Sequence, residues 1–334
     1  MIEYRATMSE RRYNPLADEW VVITSNRQDR VLRPPLEQCP LCPTSVNVGG
    51  YHEIPLEGYD VAVFENRFPA LSVNASFGEL ASVPDPYRTS PAYGRCEVVV
   101  YCDDHASTFS DLSVERIRLI VDAWIDRCRS LGDDDGVHYV MPFENKGELV
   151  GATLGHAHGQ IYAFPDIPPR VRQHLLNAER YYATAQQCVQ CDVCAREIES
   201  KVRLVVDASS WLVFVPFAPQ FPYETHVVPK RHVSSLSALS EREKHELAEV
   251  LSRLTKCYDR LWDFELPYVM AIQQRPSDDE RAWDSFCHMR FEFKPLHRDA
   301  TKIKFLAGVE LAAGTFIVDV PPEDAAAQLR TALR

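Results

Sequence analysis

The pattern of hydrophobic and polar residues predicts short strands and one long helix in the first half of the chain. Runs rich in valine and aromatic residues favour strands, because β-branched and aromatic side chains suit a pleated sheet. These predicted strands are residues 19–24, 59–64, 96–101, 137–142 and 160–164. Residues 111–131 instead repeat apolar side chains at helical spacing, and Ser110 or Ser113 can cap that helix.

The second half repeats this order of elements, which indicates an internal duplication. A C-x-x-C sequence is followed by apolar runs, a long helix over 241–262 and the strands YVMAIQQ and MRFEF. The segment EVVVYCDDHASTFSDLS parallels THVVPKRHVSSLSALS, and GHAHGQIY parallels CHMRFEF. These matches align His105 with His232 and His156 with His288.

We therefore predict an α+β fold made of two similar halves. Each half has a largely antiparallel sheet with a long helix packed on it, and the two sheets can join into one. The predicted halves are residues 1–170 and 171–334, with a helical segment around 166–187 between them. A hydrophobic content of 46% supplies ample apolar material for a core.

The net charge of −12 disfavours a nucleic-acid backbone or an anionic membrane as the main partner. A small phosphorylated substrate stays compatible, because a few Arg and Lys residues can reverse the field in one cleft. No run approaches the ~18 consecutive apolar residues of a membrane helix. The N-terminal sequence MIEYRATMSERRYNP is charged and has no apolar signal core, so we expect a cytoplasmic protein.

Ten cysteines are many for a cytoplasmic protein, where disulfides are rare. Two C-x-x-C pairs therefore indicate metal binding before they indicate bridges. Structural zinc takes four ligands, usually thiolate sulfur and imidazole nitrogen, and soft sulfur favours zinc over magnesium or calcium. The duplication supplies two such sets, which are Cys39, Cys42, His105 and His156, and Cys188, Cys191, His232 and His288.

Some of these ligands have alternatives. His105 alone could be a surface histidine that caps the following helix. In the second set, Cys194 could replace Cys188, and His226 could replace His232. The remaining isolated cysteines are interpreted as small buried apolar residues.

The segment GHAHGQIY carries the most informative chemistry. In an extended strand, residues two apart face the same side, so His156, His158 and Gln160 would lie side by side. Metal binding by His156 would then hold His158 rigidly at the sheet surface. A neutral imidazole is a capable nucleophile toward phosphorus, and Gln160 can donate to phosphoryl oxygens. The plain alternative is that both histidines bind the metal or are simply polar strand positions.

The second half keeps the metal position but not the nucleophile. The counterpart of His156 is His288, whereas the counterpart of His158 is Arg290. Glycines before His156 let the backbone of the first half approach a phosphate closely. We therefore predict that one half carries catalysis and the other serves structure.

The sequence ENKGELVGATLGHAHGQIYA, with CPLC upstream, resembles the galactose-1-phosphate uridylyltransferase family of the histidine-triad superfamily. The similarity extends from RYNPLADEWVVITSNRQDR to KIKFLAGVELAAGTF. The resemblance implies a duplicated histidine-triad fold, a homodimer, and bound zinc. It also implies exchange of UMP between UDP-glucose and galactose 1-phosphate, by a ping-pong route through a uridylyl-histidine.

The resemblance also assigns roles to individual residues. It makes His158 the nucleophile and Gln160 the residue that steadies the uridylyl phosphate, and it makes the Cys39 set the zinc ligands. Positions that match substrate contacts are Arg27, Arg30, Asn66, Asn145, Lys146, Gly147, Thr153, Lys304, Phe305 and Glu310. The last three match a segment that recognises the hexose and can reach across a dimer interface. The fork of donors on arginine suits phosphate, although Arg27 and Arg30 alone would also fit a solvated loop.

This chain departs from the usual family motif at a few positions. Ala157 stands where the family has proline between the two histidines, and Leu154 and Gly155 precede the first histidine. Some relatives hold a second metal with other ligands, so an iron-type site that involves Glu292 stays open.

Three other functions fit the same motifs. The first is a phosphorylase of ADP-glucose or a dinucleoside polyphosphate, with phosphate as acceptor. The second is a pathway-specific hexose-1-phosphate nucleotidyltransferase. The third is a zinc-stabilised nucleotide-binding module without turnover, which would never form a covalent adduct.

Overall fold

The computed structural model describes residues 9–25, 34–47, 51–75, 83–278 and 281–334. The strands of the first half are β1 (Ser9–Asn14), β2 (Glu19–Thr24), β3 (Ala62–Glu65), β4 (Thr89–Pro91), β5 (Arg95–Val100), β6 (Tyr139–Lys146) and β7 (His158–Phe164). Those of the second half are β8 (Leu204–Asp207), β9 (Trp211–Phe214), β10 (Thr225–Pro229), β11 (Tyr268–Gln273) and β12 (Arg290–Pro295). The helices are α1 (Val114–Gly132), α2 (Pro169–Ala185), α3 (Val189–Ser200), α4 (Glu241–Arg260), α5 (Trp283–Phe286), α6 (Gly308–Ala313) and α7 (Pro322–Ala332).

Within these described ranges, nine strands form one sheet in the order β3-β5-β7-β6-β11-β12-β10-β9-β8. Neighbouring strands pair antiparallel throughout. The order is symmetric about the central pair of β6 and β11, because β7, β5 and β3 on one side match β12, β10 and β9 on the other. The predicted α+β fold with a largely antiparallel sheet is therefore confirmed. A separate three-stranded sheet contains β2, β1 and β4.

The two long helices, α1 and α4, pack against each other and against the sheet. Trp124 of α1 and Trp211 of β9 each lie with their ring centroids 6.2 Å from that of Phe291 in β12, so both halves share one core. Ser240 begins α4 with a capping box, in which its backbone N–H donates to the Glu243 carboxylate at 2.8 Å. Across the described residues, no helix combines the length and apolar character that a membrane span requires.

Some predicted boundaries differ from the structure. The strand predicted at 137–142 continues to Lys146, because β11 pairs with its second part and places Tyr268 opposite Lys146. The strand predicted from residue 59 begins only at Ala62. The Tyr59 hydroxyl instead donates to the Leu41 carbonyl at 2.5 Å, beside the first pair of cysteines.

Candidate functional site

The first predicted ligand set comes together just before β7. Cys42 Sγ lies 3.3 Å from His105 Nδ1 and 3.6 Å from His156 Nδ1. Cys39 Sγ lies 3.9 Å from His156 Nδ1, and the ligand atoms of all four residues lie within 4.8 Å of one another. Both cysteines are fully buried. The loop after residue 38, the loop after β5 and the bend before β7 therefore meet at one cluster.

The hydrogen bonds of His156 orient it for metal binding. Its Nε2 donates to the Cys102 carbonyl at 2.7 Å, and a carbonyl can only accept, so Nδ1 presents its lone pair toward the thiols. Burial lowers the pKa of His156 to about 4, which keeps the ring neutral. Burial next to Cys39 raises the pKa of Cys42 to about 12, so a pair of thiolates here needs a compensating cation. This donor set fits Zn²⁺.

The second ligand set repeats this geometry. Cys191 Sγ lies 3.4 Å from both His232 Nδ1 and His288 Nδ1, and Cys188 Sγ lies 4.0 Å from His288 Nδ1. The Nε2 atoms of both histidines donate to backbone carbonyls, at 2.8 and 3.0 Å. The two imidazole centroids are 5.1 Å apart, against 5.3 Å in the first cluster. Cys188 is the N-cap residue of α3 and Cys191 lies in its first turn, so a helix places this pair.

The alternative ligands of the second site lie elsewhere. Cys194 packs in an apolar cluster that includes Phe214. His226 Nε2 lies 3.1 Å from a carboxylate oxygen of Glu224. Glu292 accepts a hydrogen bond from Lys294 at 2.7 Å and another from the arginine two residues before it. The second cluster in the described chain is therefore the Cys188 set. Glu292 is paired with the side chains of Arg290 and Lys294.

His158 is the first residue of β7 and faces a cavity of about 660 Å³. Gln160 and Tyr162 line the same cavity, as the alternation of a strand requires. His156 lies in the bend before the strand. The expectation that His156 shares one face of the strand with His158 and Gln160 was therefore wrong. His158 Nδ1 donates to the His156 carbonyl at 2.7 Å, which assigns the lone pair to Nε2.

The same cavity gathers several residues that the family motifs singled out. Asn66, Asn145 and Thr153 line it together with His158 and Gln160. These residues come from four separate segments of the first half, so the fold brings together what the sequence holds apart.

One cation of this cavity was not predicted from the sequence. Arg67 lines the cavity, and its guanidinium carbon lies 4.2 Å from the centroid of the Tyr51 ring. Its position directly after Asn66 in the FENRFPAL sequence was the signal that could have identified it.

A smaller cavity, of about 360 Å³, also borders His158 and is lined by Lys146 and Gly147. Lys146 Nζ donates to both carboxylate oxygens of Asp259, at 2.7 and 2.8 Å, so its charge is already paired within the chain. Gly147 has a φ of +94°, and a Cβ there would lie 3.0 Å from a Pro267 carbon. The backbone at 147 therefore needs glycine to turn from β6 into the loop before β7.

The segment expected to recognise the hexose lies outside both cavities. Lys304 Nζ donates to Glu310 Oε1 at 2.8 Å, and these side chains are only 6% and 7% exposed. Phe305, in contrast, is 73% exposed. Arg27 and Arg30 lie outside the described residues.

A buried polar group lies behind the strand that carries His158. A Cβ on Gly159 would lie 2.1 Å from the Tyr101 hydroxyl oxygen. That oxygen is buried and has no hydrogen-bond partner among the described residues.

Glu144 of β6 is a second buried polar group in this region. Burial raises the pKa of Glu144 to about 8, although the Lys146 ammonium opposes this shift. Burial therefore favours the protonated form of the Glu144 carboxyl group.

Comparison with known proteins agrees with this architecture. The N-terminal domain of galactose-1-phosphate uridyl transferase matches residues 2–168, and its C-terminal domain matches residues 174–334. A galactose-1-phosphate uridylyltransferase of Thermotoga maritima is 42% identical over 326 residues, which cover 97% of this chain and 98% of that one. Its counterpart from Streptomyces lividans is 36% identical over 345 residues, which cover 98% and 88%.

A solved uridylyltransferase structure superposes with a TM-score of 0.85 and 31% identity, covering 97% of this chain and 98% of that one. The chain therefore belongs to the galactose-1-phosphate uridyl transferase family, as its motifs implied.

Proposed function

We propose that this chain is an enzyme that transfers UMP between UDP-glucose and galactose 1-phosphate through a uridylyl group on His158. The orientation of one imidazole carries the proposal: Nδ1 donates to the His156 carbonyl at 2.7 Å, while the ring borders a cavity of about 660 Å³. The reactive lone pair is thereby on Nε2. The membership of the chain in the family supports the choice of substrates.

In the first step, Nε2 of His158 forms a bond to the α-phosphorus of UDP-glucose, and the bond from phosphorus to the glucose 1-phosphate oxygen breaks. Positive charge develops on the imidazole of His158. The His156 carbonyl oxygen stabilises this charge by accepting a hydrogen bond from the Nδ1–H group. Gln160 is placed in the same cavity to donate to the phosphoryl oxygens.

In the second step, a phosphate oxygen of galactose 1-phosphate attacks the same phosphorus and the P–N bond breaks. The products are UDP-galactose and neutral His158, so no proton is gained or lost overall. The cavity of about 360 Å³ beside His158 is suited to the hexose 1-phosphate, since it shares the imidazole with the nucleotide cavity.

We propose that each cluster of two cysteines and two histidines holds Zn²⁺. Bound in the first cluster, the ion would supply structural rigidity by fixing His156, whose carbonyl orients His158. The second cluster would tie α3 to the start of β12, because Cys191 belongs to the helix and His288 precedes the strand.

We propose that Asn66, Asn145, Thr153 and the newly found Arg67 contact the nucleotide. Lys146 and Gly147 would shape the acceptor side. Arg27 and Arg30 are proposed as further phosphate contacts, as the family resemblance implies.

The hexose segment is proposed to act on a partner subunit in a homodimer. Lys304 and Glu310 brace each other, and the neighbouring Phe305 and Leu311 are 73% and 72% exposed, which would place apolar side chains against the partner. An exposed apolar group of this kind is typical of an interface.

We further propose that the chain divides into halves at 1–170 and 171–334, of which the first carries the nucleophile. A cytoplasmic location fits the two clusters of cysteine and histidine, because thiols stay reduced there. Small UDP-hexoses and hexose 1-phosphates, rather than nucleic acid or membrane, are the proposed partners.

The proposed substrates are tested by a matched acceptor assay. The zinc-loaded protein is given UDP-glucose or ADP-glucose as donor, with galactose 1-phosphate or inorganic phosphate as acceptor. We expect UDP-galactose from the first donor and acceptor, and much slower turnover with the others. Faster release of ADP from ADP-glucose and phosphate would instead make the chain a phosphorylase.

A further inference from the structure

The second half contains a cavity that matches the His158 cavity in position. Its volume is about 510 Å³, against about 660 Å³ for the cavity of His158. Arg290, the first residue of β12, lines it where His158, the first residue of β7, lines the other. The duplication has therefore preserved a cavity as well as a sheet.

The strand registers establish this match independently of the sequence alignment. Gln160 is opposite Val98 of β5, and its counterpart Glu292 is opposite His226 of β10. Val98 lines the first cavity and His226 lines the second.

The match continues to the next strands and to the segments between the paired cysteines. Phe64 is opposite Val98 in the first half, and Phe214 is opposite His226 in the second. Each of these phenylalanines lines its own cavity. The two residues between the paired cysteines, 40–41 and 189–190, also line their respective cavities. The two cavities thus share these structural positions.

The electrostatic environment of the second cavity suits an anion. Arg290 Nε donates to Glu292 Oε1 at 2.8 Å, and Lys294 Nζ donates to Glu292 Oε2 at 2.7 Å. The group of Arg290, Lys294 and Glu292 carries a net positive charge, while the Glu224 carboxylate nearby is held by His226 and by two backbone N–H groups. Arg290 Nη2 donates to His174 Nδ1 at 2.9 Å, which leaves Nη1 with no hydrogen-bond partner in the part of the chain that the structure describes. A guanidinium with a remaining donor is a suitable ligand for phosphate.

The walls of this cavity suit a planar base. Phe214, Phe217 and Phe286 supply aromatic surface, while Gln190 and Gln273 supply amide donors and acceptors. A pocket that combines aromatic walls with a few polar groups is typical of small-molecule sites. Phe143 is opposite Gln160, and Ala271 is opposite the matching residue Glu292. Asn145 and Gln273 each lie two residues further along their strands, so they occupy matching positions in the two cavities.

We propose that this cavity is a second nucleotide site, which binds a nucleoside monophosphate reversibly with its phosphate on Arg290. The choice of a nucleotide rests on the proposed function of the first cavity. Arginine stays protonated and offers no lone pair to phosphorus, so the bound nucleotide is not transferred.

The test uses the uridylylated protein, because its first cavity is already filled. Wild type and variants are labelled with UDP-glucose, freed of excess donor, verified by intact mass and titrated with UMP in a calorimeter. We expect the labelled wild type to bind one further equivalent of UMP. Val193→Trp should weaken this binding at least tenfold, since Val193 lines the cavity. Ile198→Trp is the matched control, because Ile198 lies on the same helix, is also 37% exposed and is not part of the lining.

Absence of a further equivalent in the labelled wild type would overturn the proposal, as would equal affinity in the two tryptophan variants. Failure of the proposed function gives a different result, which is a wild type that UDP-glucose does not label. The titration is then made on unlabelled protein. A UMP equivalent that is lost in Val193→Trp and retained in Ile198→Trp would still support the second site.

Discussion

Gly159→Ala tests how tightly the strand of His158 is held. The added Cβ would lie 2.1 Å from the Tyr101 hydroxyl oxygen and 3.0 Å from the Phe143 carbonyl oxygen. Because unstrained contacts of carbon lie near ~3.5 Å, either the strand or the tyrosine must move by roughly 1 Å. Tyr101 is fixed between Phe109 and Trp124, with ring centroids at 5.3 and 6.3 Å, so β7 is the element that we expect to move.

The expected loss of unfolding free energy is about 1–3 kcal/mol, as for other overpacked core positions. Uridylylation should slow by roughly 100-fold, because a displacement of ~1 Å in a reacting group costs about that much. Urea denaturation followed by tryptophan fluorescence measures the first effect, and single-turnover labelling with UDP-glucose measures the second.

Two further variants make this prediction specific. Gly308→Ala is the matched control for stability, since a Cβ at Gly308 meets no atom within 4 Å and the unfolding free energy should stay near wild type. Tyr101→Phe removes the clashing oxygen, which has no hydrogen-bond partner in the described chain, and should partly restore the alanine variant. A Gly159→Ala protein with wild-type stability and rate, or one that Tyr101→Phe does not improve, would refute the reasoning.

Three other predictions follow from the structure. Metal analysis should find two zinc equivalents per chain, and Cys42→Ser and Cys191→Ser should each lose one; a variant that loses neither or both would contradict two separate sites. Glu144 keeps a proton to about pH 8 when folded and releases it near 4.5 when unfolded, so its contribution to stability falls as pH rises between these values. Denaturation at pH 5 and pH 8 should show a smaller loss for Glu144→Gln than for wild type, and an equal loss would refute the assignment. Arg290→His should give one uridylyl label per chain, because the loop before β12 lacks the glycines of the loop before β7, and two labels would show that the halves are equivalent.

Local sequence patterns were sufficient wherever an element depends on its own residues. The strand predicted at 19–24 is observed as Glu19–Thr24, and the helix predicted to begin at 241 begins at Glu241. Both have clear local signals, which are an apolar run and a Ser-x-x-Glu capping box. The helix predicted from 111 begins at Val114, because residues 109–111 form a short 3₁₀ helix and Ser113 provides the cap.

Elements that depend on a distant partner could not be placed in this way. The polar strand β1 forms because β2 and β4 pair with its two edges. The extension of β6 to Lys146 depends on β11, which follows more than a hundred residues later in the chain. Neither pairing leaves a periodic pattern in the strand itself.

The candidate site shows the same division. Duplicated motifs identified the cluster residues and the cavity position of His158 from sequence alone. The carbonyl that sets the tautomer of His158 has no side-chain signature, so only the backbone path through His156 shows it. The cavity of the second half was equally invisible, because Arg290 and His226 stand at the positions that His158 and Val98 occupy in the first half.

The proposed transfer of UMP depends most directly on a covalent bond at one ring nitrogen of His158. The measurement is intact mass of the zinc-loaded protein after mixing with UDP-glucose alone, with His158→Ala as the comparison. The account predicts a mass increase of one uridylyl group on wild type, removed by galactose 1-phosphate, and no increase on His158→Ala. An unlabelled wild type, or an equal label on the alanine variant, would contradict it.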